Sequence, residues 1–299
     1  MTRLLQYIFD GLSEGAPYSL LALSLVVVFR ATSHLNFAQG EMAMFSAFVV
    51  WQLHTWGVPL ALAVAGGILF GFVSAGLAEV VLIRPVNRKS PYAALVVMIA
   101  LFLVLSTLAD VIWGGDDPEI MPGLFPNQPT DFVRIFGAYW RYQSLGILLV
   151  AIVLAGGLLA LFKFTKFGLA MRAVASNTAS ARLVGVNTTV VVTASWAIAG
   201  ALGAVAAALV GSSAGELTPS LMFNVFVYAA AAATLGGFDS LGGAIFSGLA
   251  IGVIQNIAAG YAPGWIGNQM QLGVALVLIV VVLLVKPSGL FGQVKVERV

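Results

Sequence analysis

Apolar runs recur from one end of the chain to the other, at about 5–29, 38–56, 58–83, 92–113, 142–162, 190–211, 222–236, 242–260 and 269–285. Most approach the roughly 20 residues that a transmembrane helix needs. Lipid offers the backbone no hydrogen-bond partners, so a spanning segment must satisfy its own amides as a helix. The expected fold class is therefore all-α: a polytopic membrane protein of about 8–9 transmembrane helices, some broken or re-entrant, in a single domain over 1–299. Composition agrees, with 60% hydrophobic and 9% charged residues against roughly 45–50% and 25% in soluble domains. The first run is too long for a signal-peptide core and lacks a cleavage site, so it is expected to stay attached.

The basic residues are placed unevenly. Arg30, Arg84, Arg88, Lys89, Lys163, Lys166, Arg172, Arg182, Lys286, Lys295 and Arg298, eleven of fourteen, fall in one set of connections. The other set receives only Arg3, Arg134 and Arg141, with the acids Asp116, Asp117, Glu119 and Asp131. By the positive-inside rule the N-terminus is expected outside and the C-terminus in the cytoplasm. The pI near 9.0 is thereby explained by membrane orientation, and nucleic acid is not an expected partner.

Two connections do more than turn the chain. The outer one, about 114–141, is acidic, carries four prolines and ends in aromatics, which fits a stiffened loop with interfacial anchors or a dock for an external partner. The inner one, about 163–189, reads as a helix from Lys166 to Ala175, a break at Ser176 and Asn177, and a second short helix from Thr178 to Val184. Asn177 suits its N-cap and Gly185 its left-handed C-terminal position. Small residues Ala179, Ser180 and Ala181 would let this helix approach a groove closely.

Catalytic machinery is not apparent. No cysteine is present, which removes disulfides, Cys-ligated zinc and a thiol nucleophile, and no nucleotide-binding G-x-x-x-x-G-K-[ST] or H-E-x-x-H occurs. His34 and His54 lack carboxylates at ligand spacing, and no metal is assigned to them. Glycines instead suit close helix packing, with small residues four apart at Gly67 and Gly71 and at Ala244, Gly248 and Gly252.

The stretch LNFAQGEMAMFSAF sets Asn36, Gln39 and Glu41 around Gly40 between apolar runs, and LGGFDSLGGAIFSGLA repeats the theme with Gly236, Gly237 and Asp239. Irregular backbone at membrane depth is tolerated only beside protein or a water-filled cavity, and broken helices in two halves of a transporter point to its path. Both stretches are therefore candidate path elements. The competing reading places Asn36, Gln39 and Glu41 at the cytoplasmic interface, capping a helix.

Three motifs in order carry a family resemblance over essentially the whole chain: GLSEGAPYSLLALSLVVVFRATSHLNFAQGE, RAVASNTASARLVGVN and ATLGGFDSLGGAIFSGLAIG. They resemble the permease subunits of Liv-type branched-chain amino acid ABC importers, whose relatives also import urea, amides and aromatic acids. Glu14 departs from the small or hydroxyl residue usual in that family. The resemblance implies a transport subunit of the bacterial inner membrane rather than an enzyme. It further implies a second permease, two cytoplasmic ATPases that bind ATP and Mg, and a periplasmic binding protein, with membrane lipid around the assembly and no cofactor in this chain. It carries over Arg172, Asn177, Ala181, Arg182 and Gly185 as the ATPase-coupling loop. Asn36, Gln39, Gly40, Glu41, Gly236, Gly237 and Asp239 match as motif positions only.

Other classes are an ion-coupled secondary transporter or channel and a membrane-embedded enzyme. The first expects ionisable groups at mid-membrane, whereas Glu79, Asp110 and Asp239 fall near span ends. The second needs a nucleophile and base, and the sequence supplies no such pair.

Overall fold

The computed structural model describes residues 2–87, 90–114, 118–261 and 270–292. Arg88, Lys89, Lys295 and Arg298 of the basic set, and Asp116 and Asp117 of the acidic set, lie outside the described residues.

The expected runs are helices. They are α1 (Thr2–Thr32), α2 (Gln39–Thr55), α3 (Leu60–Ala78), α5 (Pro91–Trp113), α6 (Tyr142–Phe164), α9 (Thr188–Ala214), α10 (Leu221–Gly236), α11 (Leu241–Tyr261) and α12 (Met270–Val285). Between α3 and α5 the chain passes through one π-helical turn, Glu79–Ile83, into the short α4 (Arg84–Asn87). The inner connection holds α7 (Lys166–Ser176) and α8 (Thr178–Leu183). Among the described residues six helices are long and apolar enough to cross a membrane; α10 and α12 are shorter apolar helices.

The outer connection is not wholly irregular. β1 (Glu119–Ile120) pairs antiparallel with β4 (Glu216–Leu217) beyond α9, and β2 (Phe132–Ile135) forms a hairpin with β3 (Ala138–Arg141). These small ribbons fold the loop down onto the ends of α1 and α9. Gln6 Nε2 donates to the Tyr139 carbonyl at 3.0 Å, and the Leu124 amide donates to Ser212 Oγ at 2.7 Å.

Helix α1 is the axis of the bundle, since every residue from Gly15 to Val28 is buried. The apolar surface of a membrane helix gains little from leaving lipid, so the packing must come from close backbone approach. The sequence provides it where α1 and α11 run antiparallel. A Cβ on Gly15 would lie 2.8 Å from the Gly248 carbonyl oxygen, and one on Gly252 would lie 2.3 Å from that of Gly11. Ser19 Oγ clasps the same seam by donating to the Ile245 carbonyl at 2.9 Å. Helices α3 and α9 make a second such seam, where a Cβ on Gly71 would sit 2.7 Å from the Gly200 carbonyl oxygen. The small-residue spacing expected at Gly67, Gly71, Ala244, Gly248 and Gly252 thus lies at helix contacts. Helices α5, α6 and α12 leave apolar side chains such as Leu103, Val153 and Leu284 exposed outward, as suits lipid.

Candidate functional site

After α1 ends, residues 33–38 run without helix and climb back into the bundle before α2 begins. Their polar groups are met internally. The Ala38 amide donates to Asn36 Oδ1 at 3.1 Å, Asn36 Nδ2 donates to Gln39 Oε1 at 2.9 Å, and Gln39 Nε2 donates to the Ala199 carbonyl at 2.9 Å. Ala199 lies 11 residues into α9, about 16 Å from its first turn at 1.5 Å per residue. The start of α2 therefore sits inside the bundle, with Asn36 Oδ1 taking the amide just before the helix, rather than at an exposed helix end. Asn36, Gln39 and Glu41 are 0%, 1% and 2% exposed. Gly40 lets α2 press on α10, since a Cβ there would lie 2.9 Å from Phe226 Cβ. Glu41 contrasts with its neighbours, because its Oε2 is buried with no hydrogen-bond partner among the described residues.

The second motif does not join the first. Gly236 and Gly237 end α10, and Asp239 is exposed in the turn before α11. Met222 and Phe226, which face Gly40, lie at the opposite end of α10; the 14 residues from Met222 to Gly236 span about 21 Å. The two stretches look alike in sequence because both join apolar runs through glycine. One is a buried re-entry, whereas the other is a tight turn in which Gly237 takes φ +88° beside the Ser288 carbonyl. Gly236, Gly237 and Asp239 are thus not brought together with Asn36, Gln39, Gly40 and Glu41.

The inner connection folds much as its local signals require. Asn177 Oδ1 accepts from the Ser180 amide at 2.9 Å, capping α8, and Gly185 follows it at φ +85°. The helix closes at Leu183, one residue earlier than expected, with Val184 as its C-cap. Its orientation corrects the expectation more seriously. Ala181 is 2% exposed and packs into this chain's own core, while Leu183 and Val184 are 89% and 77% exposed. Two of the basic residues are engaged at home: Arg172 donates to the Phe162 carbonyl, and Arg182 Nε donates to Thr188 Oγ1 at 2.8 Å.

Arg182 and Thr178 also line a cavity of about 300 Å³ with Thr32, Glu79, Arg84 and Thr188. Arg84 donates to both carboxylate oxygens of Glu79, and Thr193 Oγ1 donates to Glu79 Oε2 at 2.8 Å. This network ties the π turn after α3 to the first turns of α9, directly above α8. Spacing of five between Glu79 and Arg84 is not a helix-neighbour spacing, so only the wider π turn brings the two together.

A further polar group escaped the sequence reading. Glu14, exposed on α1, accepts from Asn256 Nδ2 at 2.7 Å and Gln255 Nε2 at 3.1 Å, and Gln255 Nε2 also reaches Tyr18 Oη at 2.9 Å. Only the departure at Glu14 hinted at it, because its partners are more than 240 residues away.

Residues 7–283 match the family described as branched-chain amino acid transport system, permease component. The chain is 28% identical to the high-affinity branched-chain amino acid transport system permease protein LivH of Escherichia coli, across 99% of this chain and 97% of the relative. The Salmonella typhimurium LivH is 30% identical over the same shares, and the corresponding Pseudomonas aeruginosa protein BraD is 28% identical, across 99% and 98%. Among solved structures, PsaBC from Streptococcus pneumoniae in complex with Fab superposes with a TM-score of 0.52 at 13% identity, covering 93% of this chain and 91% of that one. A metal-chelate type ABC transporter in an inward-facing conformation gives 0.52 at 17% identity, covering 94% and 85%. At such identities these two likenesses speak to the fold alone.

Proposed function

The chain belongs to the permease-component family of branched-chain amino acid transport systems, and from that premise we propose that it is one membrane wall of an ATP-driven importer for branched-chain amino acids or a closely related small polar solute. It sits in the bacterial inner membrane as a multi-pass transport subunit, with ATP hydrolysis in separate partner subunits. The observation that carries the reading is the end-to-end match to LivH and BraD. A second permease, two cytoplasmic ATPases and a periplasmic binding protein complete the assembly. In this reading the N-terminus lies outside and the C-terminus in the cytoplasm, and the face carrying α8 meets the ATPases. The chain has no cysteine, so Pro126→Cys and Ser176→Cys test this orientation: an impermeant thiol reagent should reach the first from outside and the second only from inside.

Coupling is proposed to run through Leu183 and Val184, the exposed apolar pair at the end of α8. Asn177 and Gly185 hold the helix ends, Arg172 and Arg182 brace it against its own chain, and Ala181 keys it to the core. Movement imposed on α8 would pass through the Arg182–Thr188 bond to α9, and α9 holds Gln39 at the start of α2. Asn36, Gln39, Gly40 and Glu41 are therefore proposed as the part of the path that responds to this movement, with Gly236, Gly237 and Asp239 serving as the turn that fixes α10 against α11.

Reconstitution with the cognate permease, ATPases and binding protein tests the function. Vesicles should take up leucine with ATP present and lose uptake without it. Uptake driven by an ion gradient in the absence of ATP would favour a secondary transporter instead.

A further inference from the structure

Glu14 occupies a place where lipid is a poor neighbour. It lies seven residues beyond Tyr7, which stacks edge-on with Tyr261 at 5.7 Å between ring centroids. Paired tyrosines suit the membrane interface, and seven helical residues carry Glu14 about 10 Å further into the bilayer. The side chain is nonetheless exposed on the surface of this chain. Carboxylates at membrane depth face protein or a water-filled cavity rather than hydrocarbon. The α1–α11 face at Glu14 and Asn256 is thus a wall of something other than lipid.

The surroundings continue that wall toward the outer loop. On the same helix, four and eight residues before Glu14, Asp10 and Gln6 line a cavity of about 500 Å³ together with Pro129, Phe132, Tyr139 and Arg141. In the other direction α1 is buried from Gly15 onward, and Tyr18 closes the descent against Tyr228, with 4.9 Å between ring centroids. The polar face is therefore open toward the loop and floored by two tyrosines.

The chemistry of the cluster selects its ligand. Asn256 and Gln255 already give their amide hydrogens to Glu14 Oε2. Gln255 is fully buried, and its Oε1 has no hydrogen-bond partner among the described residues. Glu14 Oε1 likewise receives no hydrogen bond among them. Two acceptors of the cluster, Gln255 Oε1 and Glu14 Oε1, are thus left over beside the carboxylate, against one donor, the Tyr18 hydroxyl, which accepts from Gln255. An ammonium group has three donors, no acceptor and the opposite charge.

We propose that Glu14, held by Asn256 and backed by the buried Gln255 and Tyr18, forms a station on the aqueous passage that receives the ammonium group of an amino acid solute. The proposal rests on the permease reading above and adds which end of the solute this chain holds. The apolar side chain of the solute would then be left to the opposite wall.

The test uses the assembled permease–ATPase complex in lipid nanodiscs, with cysteines introduced singly at Glu14→Cys, Asn256→Cys and, as a lipid-facing control, Val153→Cys. A charged, membrane-impermeant thiol reagent should modify positions 14 and 256 but not 153. Millimolar leucine should slow modification at position 256 when Glu14 is intact, and leucine's analogue lacking the amino group should not. Glu14→Gln, which keeps the shape and the Asn256 bond, should abolish that protection and raise the half-saturating leucine concentration for uptake at least about tenfold, or ~1.4 kcal/mol, with complex assembly unchanged. Absence of modification at positions 14 and 256 overturns the passage. Equal protection by the deaminated analogue, or protection that survives Glu14→Gln, overturns ammonium recognition. Modification of both single-cysteine variants with leucine protection at position 256, in a system whose cysteine-free parent imports no leucine with ATP, would count against the importer reading and leave the station standing.

Discussion

Gln39 donates to the carbonyl of Ala199 across 2.9 Å and accepts from Asn36 at 2.9 Å, so one amide fixes both the depth at which α2 starts and the path of the backbone leading into it. Replacement by Leu would strip Asn36 Nδ2 of its oxygen partner, leaving only the Met42 sulfur at 3.9 Å. A buried donor left unsatisfied costs about 1–3 kcal/mol. Gln39→Leu should therefore lower the thermal midpoint in detergent by several degrees, although the substitution adds apolar bulk. An unchanged midpoint would mean that Gln39 does not anchor α2.

Glu41 sits one turn of chemistry away from stability. Its Oε2 is buried and unpartnered, so Glu41→Gln removes a charge that no neighbour compensates and should leave the midpoint level or slightly higher. Uptake should fall by about tenfold, equivalent to ~1.4 kcal/mol of barrier, if the carboxylate takes part in the passage of solute. Parental uptake at normal assembly would reduce Glu41 to packing.

What the sequence made legible was set by how local each signal is. Asn177 and Gly185 marked both ends of α8 because capping acts over three or four residues, and the nine apolar runs gave nine helices for the same reason. The roll of α8 was not legible, since three small residues in a row do not say which one meets the core; only tertiary packing decides that Ala181 turns in and Leu183 out. Depth was hidden too. LNFAQGE and LGGFDS look alike because a re-entrant break and a surface turn both interrupt apolar runs with glycine, and the Gln39–Ala199 bond that separates them spans 160 residues. The Glu14 cluster fails the same way, as its partners come from the far end of the chain.

Gly200 should be among the least forgiving positions of the bundle. A Cβ on Gly200 would stand 2.1 Å from the Gly71 carbonyl oxygen, a backbone atom that no rotamer change can move aside, whereas one on Gly156 meets nothing within 4 Å. Overpacking typically costs about 1–3 kcal/mol and sometimes more. Gly200→Val should thus sharply reduce the yield of monodisperse protein on size exclusion, and Gly156→Val should not. Equal yields would show that α3 and α9 separate without penalty.

The last prediction separates folding from coupling in α8. Ala181 lies against the core and Leu183 projects from the protein, only two residues apart on a helix held at both ends. Ala181→Trp must therefore force the helix off its own chain, and its first effect should be a lowered thermal midpoint of the isolated permease. Leu183→Asp touches little within the chain and should leave that midpoint unchanged. If Leu183 fills a groove on an ATPase, its burial there contributes about 1.5–3 kcal/mol, and an aspartate would lose this while bringing an unpaired charge into an apolar contact. Leu183→Asp, alone or with Val184→Asp, should then reach the membrane and assemble with the second permease but fail to retain the ATPases on affinity purification. Leu183→Met, similar in volume, should retain them. Normal retention by the Leu183→Asp and Val184→Asp double variant would place the ATPase contact elsewhere on the cytoplasmic face and leave α8 as a brace for α9.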